Sequence, residues 1–177
     1  MNEKSEDIAN MRLTQWLRPD SAVKDASRID FASLRAQGFN LVLLDLDNTL
    51  SIHGSHLPDE FARQVIGKIR QADMEPMLAS NALRKRAESF AAELGISFVP
   101  GTGKPFPFKI RKAIKAAGFT LEETVLVGDQ IFTDVLAARL VPVYAILVKP
   151  RFESEAWNVK IKRSLEKPFL RNIKYTE

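Results

Sequence analysis

Leu41-Val42-Leu43-Leu44-Asp45-Leu46-Asp47-Asn48-Thr49-Leu50 is the stretch on which the fold turns. Its four leading aliphatic residues have the length and content of a strand buried on both faces of a parallel sheet. Two carboxylates follow at once. A second segment has the same form: Thr124-Val125-Leu126-Val127 leads through Gly128 to Asp129, with Asp134 shortly after. Carboxylates at the ends of buried strands are costly unless something pairs with them. A hard divalent cation does so, and Mg²⁺ commonly binds a few carboxylates together with a phosphate.

Strand and helix patterns alternate outward from these segments. Strand-like runs fall at 41–46, 74–79, 96–99, 124–127 and 143–148. Helical patterns fall at 30–37, 58–70, 82–94, 108–117, 133–140 and 154–165, and Gly38, Gly95 and Gly118 stand where three of them end. Ile29, Phe31 and Leu34 are expected to be buried. This alternation predicts an α/β fold, a Rossmann-like parallel sheet with helices on both faces. In such sheets ligands bind beyond the carboxyl ends of the strands, where strand order reverses. Both acidic pairs fall at carboxyl ends. Residues 1–11 read as a flexible lead-in and residues 12–177 as a single domain. Leu13, Trp16 and Leu17 form a short apolar patch expected to dock on it.

The 177 residues are 45% hydrophobic, enough for one domain that buries roughly 70% of its unfolded surface. No apolar run approaches the length of a bilayer span. The first ten residues are polar and acidic, unlike a secretory signal. The absence of cysteine excludes disulfides, thiolate metal sites and a cysteine nucleophile. A cytoplasmic protein is expected. The net charge of +4 and pI of about 9.4 favour anionic partners: nucleic acid, an anionic membrane or phosphorylated substrates. Ordinary solubility accounts for the charge equally well.

Residues two apart in an extended segment project to the same side, so Asp45 and Asp47 face one reacting group. One carboxylate can attack phosphorus and form an aspartyl-phosphate. A second can protonate the leaving oxygen and later activate water. Spacing alone does not say which residue does which.

The segment around Asp45 resembles motif I of the haloacid dehalogenase-like phosphatases, Asp-x-Asp-x-Thr. Ser80-Asn81 resembles motif II. Lys104, within Gly103-Lys104-Pro105, resembles motif III, and Gly128-Asp129-Gln130-Ile131-Phe132-Thr133-Asp134 resembles motif IV. Arg18-Pro19 and Tyr144-Ala145-Ile146-Leu147-Val148 extend the similarity to subclass IIIA, YqeG-type. Those proteins are similar in turn to mitochondrial phosphatidylglycerophosphate phosphatases. Leu44 stands where an aromatic is common, and Ala137-Ala138 where a glycine pair is usual.

The resemblance implies a Mg²⁺-dependent phosphomonoesterase. Asp45 would be nucleophile and metal ligand. Asp47 would be general acid/base and lend its backbone carbonyl to the metal. Asp129 would ligate the metal directly, and Asp134 would complete the acidic site or orient a metal-bound water. Ser80, with the Asn81 backbone, would bind phosphate; Lys104 would neutralise it and restrain Asp45; Thr49 would support the loop. Only a loop, a helix and a strand fit between motifs I and II, and only a helix and a strand between II and III, so no cap domain is expected. An open site suits a bulky or lipid-embedded phosphate ester, and phosphatidylglycerophosphate is the implied candidate. A soluble nucleotide or sugar phosphatase is the less favoured enzyme. An RNA- or ribosome-associated binding protein on the same scaffold is the rival class.

His53 and His56 read as exposed loop residues or as substrate contacts at an open mouth. Arg84, Lys85 and Arg86 read as a solvated helix face in preference to a patch for an anionic partner. Lys160, Lys162, Arg163, Lys167, Arg171 and Lys174, with Trp157, Phe169 and Leu170, read either as an RNA- or membrane-facing element or as a docked helix with solvated lysines.

Overall fold

The structure, a computed structural model, describes residues 16–152, 157–171 and 173–176, and within 157–163 the backbone alone. The expected lead-in over residues 1–11, Leu13 and the side chains of Trp157, Lys160, Lys162 and Arg163 lie outside it. Six strands form one sheet: β1 (Ser21–Val23), β2 (Leu41–Leu44), β3 (Glu75–Leu78), β4 (Ser97–Phe98), β5 (Thr124–Gly128) and β6 (Tyr144–Val148). Their order is β1-β6-β5-β2-β3-β4, and every pairing is parallel.

Alternation along β2 builds two cores. Val42 and Leu44 face α1 (Phe31–Ala36), α2 (Glu60–Gln71) and α3 (Arg84–Leu94). Leu41 and Leu43 face α4 (Phe108–Ala116), α5 (Leu136–Leu140) and the end of α6 (Trp157–Leu170). Helices thus cover both sheet faces, and the strand reads as a continuous apolar run because neither face meets water. Ile29, Phe31 and Leu34 are buried, as expected. Gly95 ends α3 at φ 61°, a left-handed conformation that costs glycine little.

From β2 the chain moves to β3 and β4 on one side, then returns to β5 and β6 on the other. Strand order therefore reverses between β2 and β5. Leu44 pairs with Val127, and the Asp45 N–H donates to the Val127 carbonyl at 2.9 Å. That register sets the residues after both strands side by side. Between Thr49 and Ala79 lie a loop, α2 and β3; between Ala82 and Lys104 lie α3 and β4. Neither interval holds a cap domain.

Three features differ from the reading of the sequence. The first is β1, which has no aliphatic run of its own. It exists through pairing with β6 and through Asp20, whose Oδ2 accepts from the Ala145 N–H at 2.7 Å. On its outer side, Thr176 N–H donates to the Ala22 carbonyl at 2.9 Å and covers that edge. The second is the helix expected at 133–140, which opens as a wide π-helical turn at Ile131–Val135 before α5. The third is at the termini. Leu17 is buried but Trp16 is half exposed, and α6 runs on to Leu170, where Phe169 packs edge-on against Phe132 at 5.6 Å between ring centroids. Phe169 and Leu170 thus pack, partly buried, against the core, whereas Lys167, Arg171 and Lys174 stay exposed. That end of the segment is a docked helix with solvated lysines.

Asp59 caps α2 by accepting from the Ala62 N–H at 2.9 Å, and it pairs with Arg151 Nη2 at 2.9 Å. Burial pushes its carboxyl upward, but the Arg151 and Ala62 hydrogen bonds outweigh this and hold it below the usual 3.8. The folded protein therefore favours the ionised form, and that stability is present above pH 3.8 and lost as pH falls below it. Asp59→Ala is expected to cost about 1 kcal/mol at neutral pH, mostly through the cap, since the exposed ion pair is screened. Urea unfolding checks this: the gap to wild type should narrow in acid, and an unchanged midpoint at pH 7 would count against it.

Candidate active site

Three segments meet at the carboxyl edge of the sheet. Asp45 follows β2, Asp129 follows β5, and the π-helical turn supplies Asp134. All three are buried, and one oxygen from each lies within 4.8 Å of the others. Lys104, from the loop after β4, enters the same space. Its Nζ lies 2.6 Å from Asp45 Oδ1 and 2.5 Å from Asp134 Oδ1.

Lys104 thus reaches two of the three buried carboxylates. Burial raises the Asp45 carboxyl to about 6; Lys104 opposes the rise, and Asp134 and Asp47 add to it. Burial alone would lower Lys104, but Asp134 and Asp45 outweigh it and hold the ammonium above its ordinary range. Three buried carboxylates whose oxygens converge offer hard donors that fit a divalent cation.

Close backbone approach makes the cluster. The Asp134 carboxylate lies directly over Gly128: a Cβ placed there would stand 2.2 Å from Asp134 Cγ and 2.5 Å from its Cβ. Asp134 Oδ2 also accepts from the Gln130 N–H at 3.1 Å. The wide turn therefore folds Asp134 back over the end of its own strand.

The remaining motif residues brace these groups. Thr49 Oγ1 donates to Asp129 Oδ1 at 3.4 Å. Buried Ser80 accepts the Ala82 N–H at 3.2 Å, which leaves its own hydroxyl hydrogen available. Asn81 clamps the Lys104 loop. Its Oδ1 accepts from Lys104 N–H at 2.7 Å and Thr102 Oγ1 at 2.9 Å, and its Nδ2 donates to the Lys104 carbonyl at 2.9 Å. Sequence reasoning considered only the Asn81 backbone, because the clamp spans 23 residues of chain.

Asp47 is placed differently. Its carboxylate is not in the Asp45–Asp129–Asp134 set. It forms a two-pronged pair with Arg86, with Nη1 2.8 Å from Oδ1 and Nη2 in contact with Oδ2. Arg86 is thus no part of a solvated face. It is buried, while Arg84 and Lys85 are exposed. In sequence, Arg86 differs from those neighbours only by helical phase, falling on the side of α3 that carries Phe90. His53 Nδ1 lies 3.4 Å from Asp47 Oδ1. Asp47, His53, His56, Lys85 and Arg86 line an open cleft of about 750 Å³ beside the carboxylates.

Residues 8–141 match the haloacid dehalogenase-like hydrolase family. The chain belongs to that family. Among relatives, this hydrolase is 27% identical to the probable phosphatase YqeG of Bacillus subtilis, over 92% of its own length and 94% of the relative's. It is 28% identical to phosphatidylglycerophosphate phosphatase 1, chloroplastic/mitochondrial, of Arabidopsis thaliana, over 80% of its own length and 43% of that protein's. In fold it resembles the crystal structure of an uncharacterized protein from Listeria monocytogenes serotype 4b, at 14% identity and a TM-score of 0.51, covering 72% of this chain and 97% of that one.

Gly128→Ala should displace Asp134 and lower divalent-cation affinity roughly tenfold or more. Calorimetric titration with Mg²⁺, on a variant shown by circular dichroism to be folded, measures this. In the wild-type hydrolase, cation affinity should fall as pH drops through about 6, where Asp45 takes up a proton. Affinity that is flat with pH, or unchanged in the variant, would contradict this account.

Proposed function

We propose that this hydrolase is a divalent-cation-dependent phosphomonoesterase that works through an aspartyl-phosphate on Asp45. The observation that carries the reading is the buried Asp45–Asp129–Asp134–Lys104 cluster at the point of strand reversal. Its family and its phosphatase relatives support it.

Asp45, Asp129 and Asp134 would hold the cation, together with the Asp47 backbone carbonyl, and Mg²⁺ suits that oxygen set. When bound, the cation supplies charge neutralisation at the phosphoryl oxygens. The protein's own groups do the rest. A carboxylate oxygen of Asp45 attacks phosphorus, and the bond to the ester oxygen breaks. Asp47, in its acid form, gives its proton to that oxygen as the alcohol departs. Asp47 then accepts a proton from water as the water attacks the aspartyl-phosphate, which releases phosphate and restores Asp45. Ser80 and the Asn81 N–H donate to the phosphoryl oxygens, Lys104 balances their charge, and Thr49 holds the loop through Asp129. Arg86 holds Asp47 in the free protein, so Asp47 must leave that pair to reach the ester oxygen.

The substrate in this reading is a bulky ester, with phosphatidylglycerophosphate as the leading candidate. The absence of a cap between the motifs supports it, as does the likeness to phosphatidylglycerophosphate phosphatase 1.

Asp45→Asn should reduce Mg²⁺-dependent hydrolysis of an aryl phosphate by at least about a thousandfold. Equal rates in the two proteins would end the proposal. A panel of esters then tests the substrate: turnover of phosphatidylglycerophosphate in detergent micelles should exceed that of nucleotides and phosphopeptides. The reverse order would overturn the lipid assignment and leave the phosphatase standing.

A further inference from the structure

Seven large apolar side chains stay exposed among the described residues: Trp16, Ile52, Leu57, Leu83, Phe106, Phe108 and Leu165. Their distribution is uneven. Ile52 and Leu57 lie in the loop after motif I, Leu83 just after motif II, and Phe106 and Phe108 just after Lys104. Five of the seven thus come from the three segments that follow β2, β3 and β4 at the carboxyl edge, where the carboxylate cluster opens. Leu83 is 83% exposed and Phe108 79%. Isolated apolar residues on a surface need no explanation, but a group around one site mouth does.

Exposed cations flank two of these tips. Arg84 and Lys85 follow Leu83, Lys109 follows Phe108, and all three are exposed. Most acids of this edge are held in ion pairs, Asp45 and Asp134 with Lys104, Asp47 with Arg86 and the exposed Asp59 with Arg151, while Glu60 and Glu88 stay exposed behind the tips on α2 and α3. The outer rim therefore offers apolar tips interleaved with cations. That pairing is complementary to an anionic lipid surface, where tips enter the acyl boundary and cations meet headgroup phosphates.

We propose that this rim is a membrane-docking surface, which seats the protein on an anionic bilayer with the mouth of the Asp45 site facing the headgroups. No cap intervenes between the site and that surface. A stable protein partner on the same rim would close the mouth, whereas a bilayer presents phosphate esters to it. The proposal deepens the reading of this site as a phosphatase for lipid-embedded esters and rests on it. It also moves the lipid contact away from the basic C-terminal segment, whose Phe169 and Leu170 pack against the core.

The test is co-sedimentation of the full chain with phosphatidylglycerol vesicles and with phosphatidylcholine vesicles. Binding to the first should be stronger and should weaken with salt. Leu57→Ser with Phe108→Ser should reduce that binding roughly tenfold, while turnover of a soluble aryl phosphate stays at the wild-type rate. A parallel variant, Lys167→Ser with Lys174→Ser, should retain vesicle binding. No vesicle binding, equal binding to both vesicle types, or binding lost only in the C-terminal variant would each overturn the proposal. So would self-association that the rim variant abolishes, since the rim would then be a contact between copies. Rim-dependent binding without hydrolysis of any lipid phosphate would reject the substrate proposed above and leave the docking surface standing.

Discussion

A single buried ammonium, Lys104, stands between the carboxylates of Asp45 and Asp134, and the architecture of the site follows from keeping it there. Removing such a group would leave buried charge uncompensated, at a cost far above that of an ordinary surface contact. The loop that carries Lys104 is therefore held from both sides by the amide of Asn81, which bonds the N–H and the carbonyl of the same residue. Asp134 is brought in by a turn wider than an α-helix and by a glycine whose missing Cβ leaves its carboxylate room. Three buried carboxylates still converge there. That set of hard oxygens is the physical ground for a cation, and it is independent of any family likeness.

Asp47 is the part of the site least like a static reading of motif I. Two residues beyond Asp45, it is turned to Arg86 and not into the carboxylate cluster. The pair neutralises an otherwise exposed acid at the mouth and gives Arg86 a partner for its partly buried guanidinium. A proton-transfer role for Asp47 thus requires a change of partner, which an incoming phosphate ester could provide by offering Arg86 another anion.

The openness of the site and its rim have one origin. The intervals between motifs are long enough for one helix and one strand each, so nothing folds back over the carboxyl edge. Leu83, beside the start of α3, and Phe108, at the start of α4, are left in solvent. Among the described residues no helix is long and apolar enough to cross a membrane.

The sequence by itself determined the sheet, the helices on both faces and the strand ends that carry acids. Those features depend on local pattern: aliphatic runs, helical periodicity and glycine at helix ends. The order of motifs along the chain marked Asp45, Asp129, Asp134 and Lys104 in the same way. Tertiary structure alone decided the rest. Strand β1 is too short to signal itself and exists only by pairing with β6. Arg86 is told from Arg84 and Lys85 by helical phase, but its partner lies 39 residues away. The Asn81 clamp on Lys104 is likewise a contact between distant parts of the chain, and the seating of Asp134 over Gly128 depends on a turn wider than the helix that the pattern predicts. A linear pattern encodes which face a residue takes, and only the folded chain decides what that face meets.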